Sequence, residues 1–102
     1  MLSSKFEWDS EKERLIVEKH GLTMEVIKGI FDDEYRLERY DKIHSRLLEE
    51  DRWQTIGMVN DVLFAVYTER VEKIRIITAR EATPEEKEIY YGTSNKGGWY
   101  YP

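Results

Sequence analysis

The run Val-Leu-Phe-Ala-Val-Tyr at residues 62–67 constrains this chain most, because consecutive apolar side chains are the pattern of a central strand covered on both faces. Residues 52–59 read as a strand before it. The Asn60-Asp61 pair between them marks a tight hairpin, since Asn and Asp tolerate the positive φ that two-residue turns require. A third strand is predicted over 73–79, after Arg70-Val71-Glu72. Residues 35–40 alternate Tyr35, Leu37 and Arg39 with Arg36, Glu38 and Tyr40, which suits an edge strand, and Phe6-Glu7-Trp8 alternates like a short opening one.

Helix signals flank these strands. Ser10 with Glu13 three positions on forms a capping-box pattern for a helix running to His20, and Gly21 stops it. Thr23 is a second N-cap candidate, followed by Val26, Ile27, Ile30 and Phe31 at helical spacing until Asp32-Asp33. Thr83-Pro84-Glu85-Glu86 combines an N-cap, a proline at the first helical position and an N3 carboxylate, opening a last helix that reaches Tyr91 before Gly92. The predicted fold class is α+β: a small antiparallel sheet with two N-terminal helices and one C-terminal helix packed on it. One domain is expected over residues 1–92, with a tail over 93–102 whose Gly-rich stretch leads to Trp99-Tyr100-Tyr101-Pro102.

A chain of 102 residues is the size of one domain, so one fold must carry any chemistry. The absence of cysteine excludes disulfides, thiolate nucleophiles and cysteine-bearing zinc sites, and two histidines, His20 and His44, offer little for other metals. No cofactor is expected. No segment approaches the roughly 20 apolar residues of a membrane helix, nor does the N-terminus resemble a secretory signal, so no membrane association and a cytoplasmic address are expected. The net charge of −5 argues against a surface that grips nucleic acid everywhere. Arg70, Lys73, Arg75 and Arg80, however, fall close together, which allows a local basic face on an acidic protein.

Several separated motifs, in order, carry a family resemblance. Phe6-Glu7-Trp8-Asp9 with Lys12, then Lys19-His20-Gly21, is similar to the opening of the BrnT toxins; Arg52-Trp53 with Ile56-Gly57, Thr68-Glu69-Arg70 and Ile74-Arg75-Ile76-Ile77-Thr78-Ala79-Arg80 continue the match. The similarity spans about residues 6 to 91. Two positions depart from the pattern. Ile16 stands where these toxins usually carry asparagine, which questions any polar role for that helix face, and Thr78 replaces a common serine while keeping a hydroxyl. The resemblance implies a RelE-like fold, ribonuclease activity that slows growth, an RNA substrate, and a BrnA-type antitoxin that binds both toxin and DNA. Contact with DNA would then be only indirect.

Metal-free RNA cleavage needs a proton acceptor for the 2′-hydroxyl, a proton donor, and cations around the developing phosphorane charge. Arginine suits the last task because its planar fork grips phosphate oxygens and stays charged. Arg70 and Arg80, at strand or loop ends, are the candidate catalytic cations, and Arg52 and Arg75 join Lys19 and His20 as candidate RNA contacts. Strand parity places Arg75 with Ile77, opposite Ile74, Ile76 and Thr78. The alternative for the arginines is ordinary pairing with Glu69, Glu72 and Glu81, and for Lys19 and His20 a favourable position at a helix C-terminus. His44, in the polar segment 41–46, is the candidate for proton transfer, against the alternative of a solvent-exposed loop histidine. Trp8 and Trp53 are expected in the core. A non-catalytic protein-binding or RNA-binding module is the rival reading of the whole chain.

Overall fold

A computed structural model describes residues 5–92 and 96–102. Five strands, β1 (Phe6–Glu7), β2 (Leu37–Tyr40), β3 (Trp53–Val59), β4 (Asp61–Arg70) and β5 (Lys73–Glu81), form one sheet in the order β1-β5-β4-β3-β2. Four α-helices accompany them: α1 (Ser10–His20), α2 (Met24–Ile27), α3 (Lys42–Leu48) and α4 (Pro84–Tyr91). The apolar run at residues 62–67 lies in β4 at the middle of the sheet, with Val62, Leu63, Phe64, Ala65 and Tyr67 all buried.

The expectation of an antiparallel sheet with three helices needs two corrections. First, the sheet is mixed, because β1 pairs parallel to β5, Phe6 opposite Ile74 and Glu7 opposite Arg75. A strand of two residues carries no orientation signal in its own sequence; its pairing is set by where α1 docks. Second, the polar segment holding His44 is helix α3 rather than loop. Asp41 caps it by accepting the His44 backbone N–H at 3.1 Å, as a good N-cap residue should. The helix is hard to read because only Ser45 is buried, while Ile43, Leu47 and Leu48 face solvent, so no inward apolar stripe announces it.

The Ser10–Glu13 capping box does not form: Asp9 is the N-cap of α1, accepting the Glu11 N–H at 3.0 Å, and the Glu13 carboxylate is drawn instead to the Trp8 indole and the Met24 N–H. The signals at α4, at the glycine stops and at the β3–β4 turn act as read. Thr83 and Glu86 form a reciprocal capping box with Pro84 in the first turn of α4, and Gly21 and Gly92 end α1 and α4 in the left-handed region. Asn60 takes φ of 65° at the β3–β4 turn. The second helix is shorter than its spacing suggested. After α2 the chain tightens into a 3-10 segment, Lys28–Asp32, which lies on β3 so closely that a Cβ on Gly57 would come within 2.8 Å of Ile30 Cγ2.

The two faces of the sheet differ. On one, α1, α2 and the 3-10 segment bury Ile16, Met24, Ile27 and Ile30 against Leu63, Ala65, Ile76 and Ala79. Ile16, the departure from the family pattern, is therefore a core residue. On the other, α4 packs Ile89 with Leu37, Ile56, Val62, Phe64 and Ala82 over part of the sheet, and Trp99 completes this cluster. The remainder of that face stays open.

The aromatic tail is pinned by its own domain. Tyr100 exchanges both backbone hydrogen bonds with Glu38 of β2, at 2.8 and 3.0 Å, and Trp99 is 4% exposed beneath the Arg39 guanidinium, 4.4 Å from its ring centroid. Glu38 is buried and fully engaged: it accepts from Arg36, from the Tyr67 hydroxyl and from the Tyr100 hydroxyl. Burial and the adjoining Glu38 carboxylate push the Tyr67 hydroxyl well above the ordinary tyrosine range.

Candidate functional site

Strand β5 carries the decisive local feature. Its register against β4 runs Phe64 with Arg80, Ala65 with Ala79 and Val66 with Thr78, then slips, so that Tyr67 faces Ile76, Thr68 faces Arg75 and Arg70 faces Lys73. Phe64, Val66, Thr68 and Arg70 alternate along β4 and share one face. Their partners Arg80, Thr78 and Arg75 therefore share it too. The expectation that Arg75 points opposite to Thr78 fails here, because the extra residue at the bulge reverses strand parity beyond it.

A groove of about 460 Å³ opens on this face. Its lining includes Lys12 of α1, Asp41 and His44 from α3 and its cap, Arg52, Gln54, Thr78 and Arg80. A second groove of about 260 Å³ shares Lys12, Arg52 and Ile77 with it and adds Arg70, Arg75 and Asp9. His44 and Arg80 thus line one groove and Arg70 its neighbour. A third hollow, at the β4–β5 hairpin, interleaves Glu69 and Glu72 with Lys5, Arg70 and Lys73 and contains no proton-transfer histidine.

The His44 ring is oriented by Asp41. Its Nδ1 lies 2.9 Å from Asp41 Oδ2, and the imidazole is 62% exposed while the carboxylate is buried. Burial pushes the Asp41 carboxyl up, but hydrogen bonds from the His44 backbone, the Gln54 side chain and the His44 ring more than offset it and hold the group below its ordinary value. An ionised carboxylate only accepts, so Nδ1 is the donor in this contact, and in the neutral ring the lone pair falls to Nε2. Gln54 is itself held, since its Oε1 accepts from Arg39 at 2.8 and 3.1 Å.

Every arginine of the two grooves has a carboxylate partner. Arg80 makes a bidentate pair with Glu86, 2.8 and 3.0 Å, and lies 4.0 Å from the Phe64 ring centroid. Burial alone would raise the Glu86 carboxyl, but Arg80 and the Thr83 N–H lower it, so the pair stays ionic. Glu50 bridges Arg52 and Arg70, each at 3.2 Å, and Arg75 reaches Glu7 at 2.9 Å. These contacts fix the forks in place while leaving donors free, because a guanidinium has five N–H groups. Lys12 differs: among the described residues it makes no ion pair, so its charge is available to both grooves.

Lys19 and His20 are not brought to the grooves. Lys19 is exposed at the end of α1, and His20 Nδ1 sits 2.9 Å from Glu81 Oε1 on the helix-covered side. Trp8 and Trp53 are half-buried; the Trp8 indole donates to Glu13, and Trp53 meets Tyr40 edge-on. The Tyr90 hydroxyl lines neither groove; it donates to Asp33 at 2.5 Å, and burial and that carboxylate push it well above the ordinary tyrosine range. Asp41, Gln54 and Lys12 were missed as site residues. Lys12 carried a signal, as part of the opening motif, whereas Asp41 and Gln54 matter only through partners distant or hidden in a helix cap.

Among the described residues no group of three His, Cys, Asp or Glu side chains is arranged to hold a metal ion, and no helix is long and apolar enough to cross a membrane. Residues 8–86 match the family model described as ribonuclease toxin, BrnT, of type II toxin-antitoxin systems. A comparison with individually curated proteins finds no match.

Proposed function

The chain belongs to the BrnT family of ribonuclease toxins of type II toxin-antitoxin systems, and from that membership we propose that it is an endoribonuclease that cuts RNA without a metal in the His44–Arg80 groove. One observation carries the assignment: on a chain of net charge −5, a histidine with its Nδ1 engaged by a carboxylate shares a groove with Lys12, Arg52 and Arg80.

In the proposed reaction His44 Nε2 takes the proton of a ribose 2′-hydroxyl, and the 2′-oxygen attacks the adjacent phosphorus. The bond to the 5′-oxygen breaks, and that oxygen leaves as a hydroxyl with a proton from solvent. The products are a 2′,3′-cyclic phosphate and a 5′-hydroxyl. Arg80 and Lys12 stabilise the charge that grows on the phosphorane oxygens, the role a metal would otherwise fill. Arg70, Arg52 and Arg75 hold the neighbouring phosphates of the strand; Lys19 and His20, remote from the grooves, are left out of this reading. A RelE-like fold, a cytoplasmic site of action, growth inhibition and neutralisation by a BrnA-type antitoxin complete the proposal.

The test is incubation of the purified chain with RNA in excess EDTA, with gel analysis and end-group chemistry. Cleavage with the stated termini is expected, with Arg80→Ala and Lys12→Ala each slower by about 10²-fold or more, and Lys12→Ala also weaker in binding, with a salt slope smaller by about one. RNA that is bound but emerges intact would sink the enzyme and leave a binding module.

A further inference from the structure

Helix α3 has two contrasting sides. Its inner side carries His44 and buries Ser45, whose Oγ accepts the Arg52 backbone N–H at 2.7 Å. Its outer side presents Ile43 and Leu47 one turn apart, 70% and 72% exposed. Lys42 and Arg46 stand beside them, line the same hollow of about 210 Å³, and make no ion pair among the described residues. An exposed apolar ridge flanked by unengaged cations is an incomplete surface.

We propose that this outer face of α3 is where the antitoxin docks, through an acidic amphipathic segment that seats apolar side chains against Ile43 and Leu47 and carboxylates against Lys42 and Arg46. The proposal rests on the toxin reading above and adds where the partner binds. Three observations select this occupant. The patch is basic, so it complements carboxylates on its occupant, and two copies of this same patch would repel one another. Ile and Leu offer no ring on which a base could stack, so the ridge suits a protein better than RNA. The helix is also the one that holds His44, and a segment lying along it would reach the mouth of the groove and close it to RNA. Recognition of apolar anchors at positions i and i+4 is the usual way that helices are read by partners.

The experiment compares the full chain with an Ile43→Glu/Leu47→Glu variant and a Lys42→Ser/Arg46→Ser variant, measuring calorimetric affinity for the antitoxin encoded beside it and, separately, RNA cleavage by the toxin alone. Circular dichroism establishes that each variant is folded, as the exposure of all four side chains leads us to expect. The first variant is expected to lose about 100-fold or more in affinity. The second should lose less and show a weaker dependence on salt. Both should cleave RNA at the wild-type rate. Antitoxin affinity within about threefold of wild type in the first variant would overturn the proposal, as would normal affinity with impaired cleavage, which would make α3 an RNA surface instead. A wild-type chain that binds antitoxin through this face yet leaves RNA intact would overturn the nuclease reading alone.

Discussion

Asp41 holds His44 twice: its Oδ1 accepts the histidine backbone N–H at 3.1 Å and its Oδ2 lies 2.9 Å from the ring Nδ1. One carboxylate thus starts helix α3 and fixes the tautomer of the side chain projecting from it. Asp41→Asn keeps a capping oxygen but no longer compels Nδ1 to carry the proton. Cleavage is expected to fall by about 10²-fold or more, with helix content unchanged. His44→Ala should cost about 10² to 10⁴, and Asp41→Asn should then add nothing, because both changes remove one acting unit. Additive losses in the double variant would separate the two residues.

Acid sensitivity follows from three carboxylates. Burial acts to raise Asp33, Asp41 and Glu86, but hydrogen bonds win in each case: from Tyr90 and two backbone N–H groups at Asp33, from His44 and Gln54 at Asp41, and from Arg80 and Thr83 at Glu86. Groups lowered in the folded state contribute fully above their unfolded values and lose that contribution as pH falls through the folded ones. The contribution of these groups to the melting temperature is expected to be flat from pH 7 to about 5 and to decline below about 4. Melting curves of wild type and Asp33→Asn check this: the variant should start lower and lose less on acidification. An equal acid slope in the two would contradict the assignment of Asp33.

The aromatic end of the chain should matter for stability before it matters for chemistry. Trp99 fills the cluster of Leu37, Ile56, Phe64 and Ile89, and Tyr100 pairs with the outer edge of β2. Trp99→Ala is expected to cost about 3–5 kcal/mol by urea denaturation, and deletion after Gly92 at least as much. The deletion should also promote association through the uncovered strand edge. Well below its melting temperature the Trp99→Ala chain should still cut RNA. A variant as stable as wild type would mean that the segment adds nothing to the fold.

Residue type alone marks only the candidates for the site. His44, Arg70 and Arg80 stood out by residue type, and the two grooves that share Lys12 and Arg52 bring them to one face. Their partners were not legible. Glu50 lies 20 residues from Arg70, and Glu7 lies 68 from Arg75, so no spacing rule connects them. The near acids Glu69 and Glu72 are not the carboxylates that the site arginines use; these are Glu7, Glu50 and Glu86.

What the amino-acid order determined alone was whatever depends on neighbours along the chain. The apolar run of β4, the capping box of α4 and the glycine stops of α1 and α4 act within one or two turns, and they form as written. Only the tertiary structure decided the parallel placement of β1, the helix at His44 and the common face of Arg75, Thr78 and Arg80. Each of these depends on contacts between distant segments. A single bulge opposite Val66 and Tyr67 turns the cations of β5 to one side, and a strand's own alternation cannot reveal a residue that its neighbour leaves unpaired.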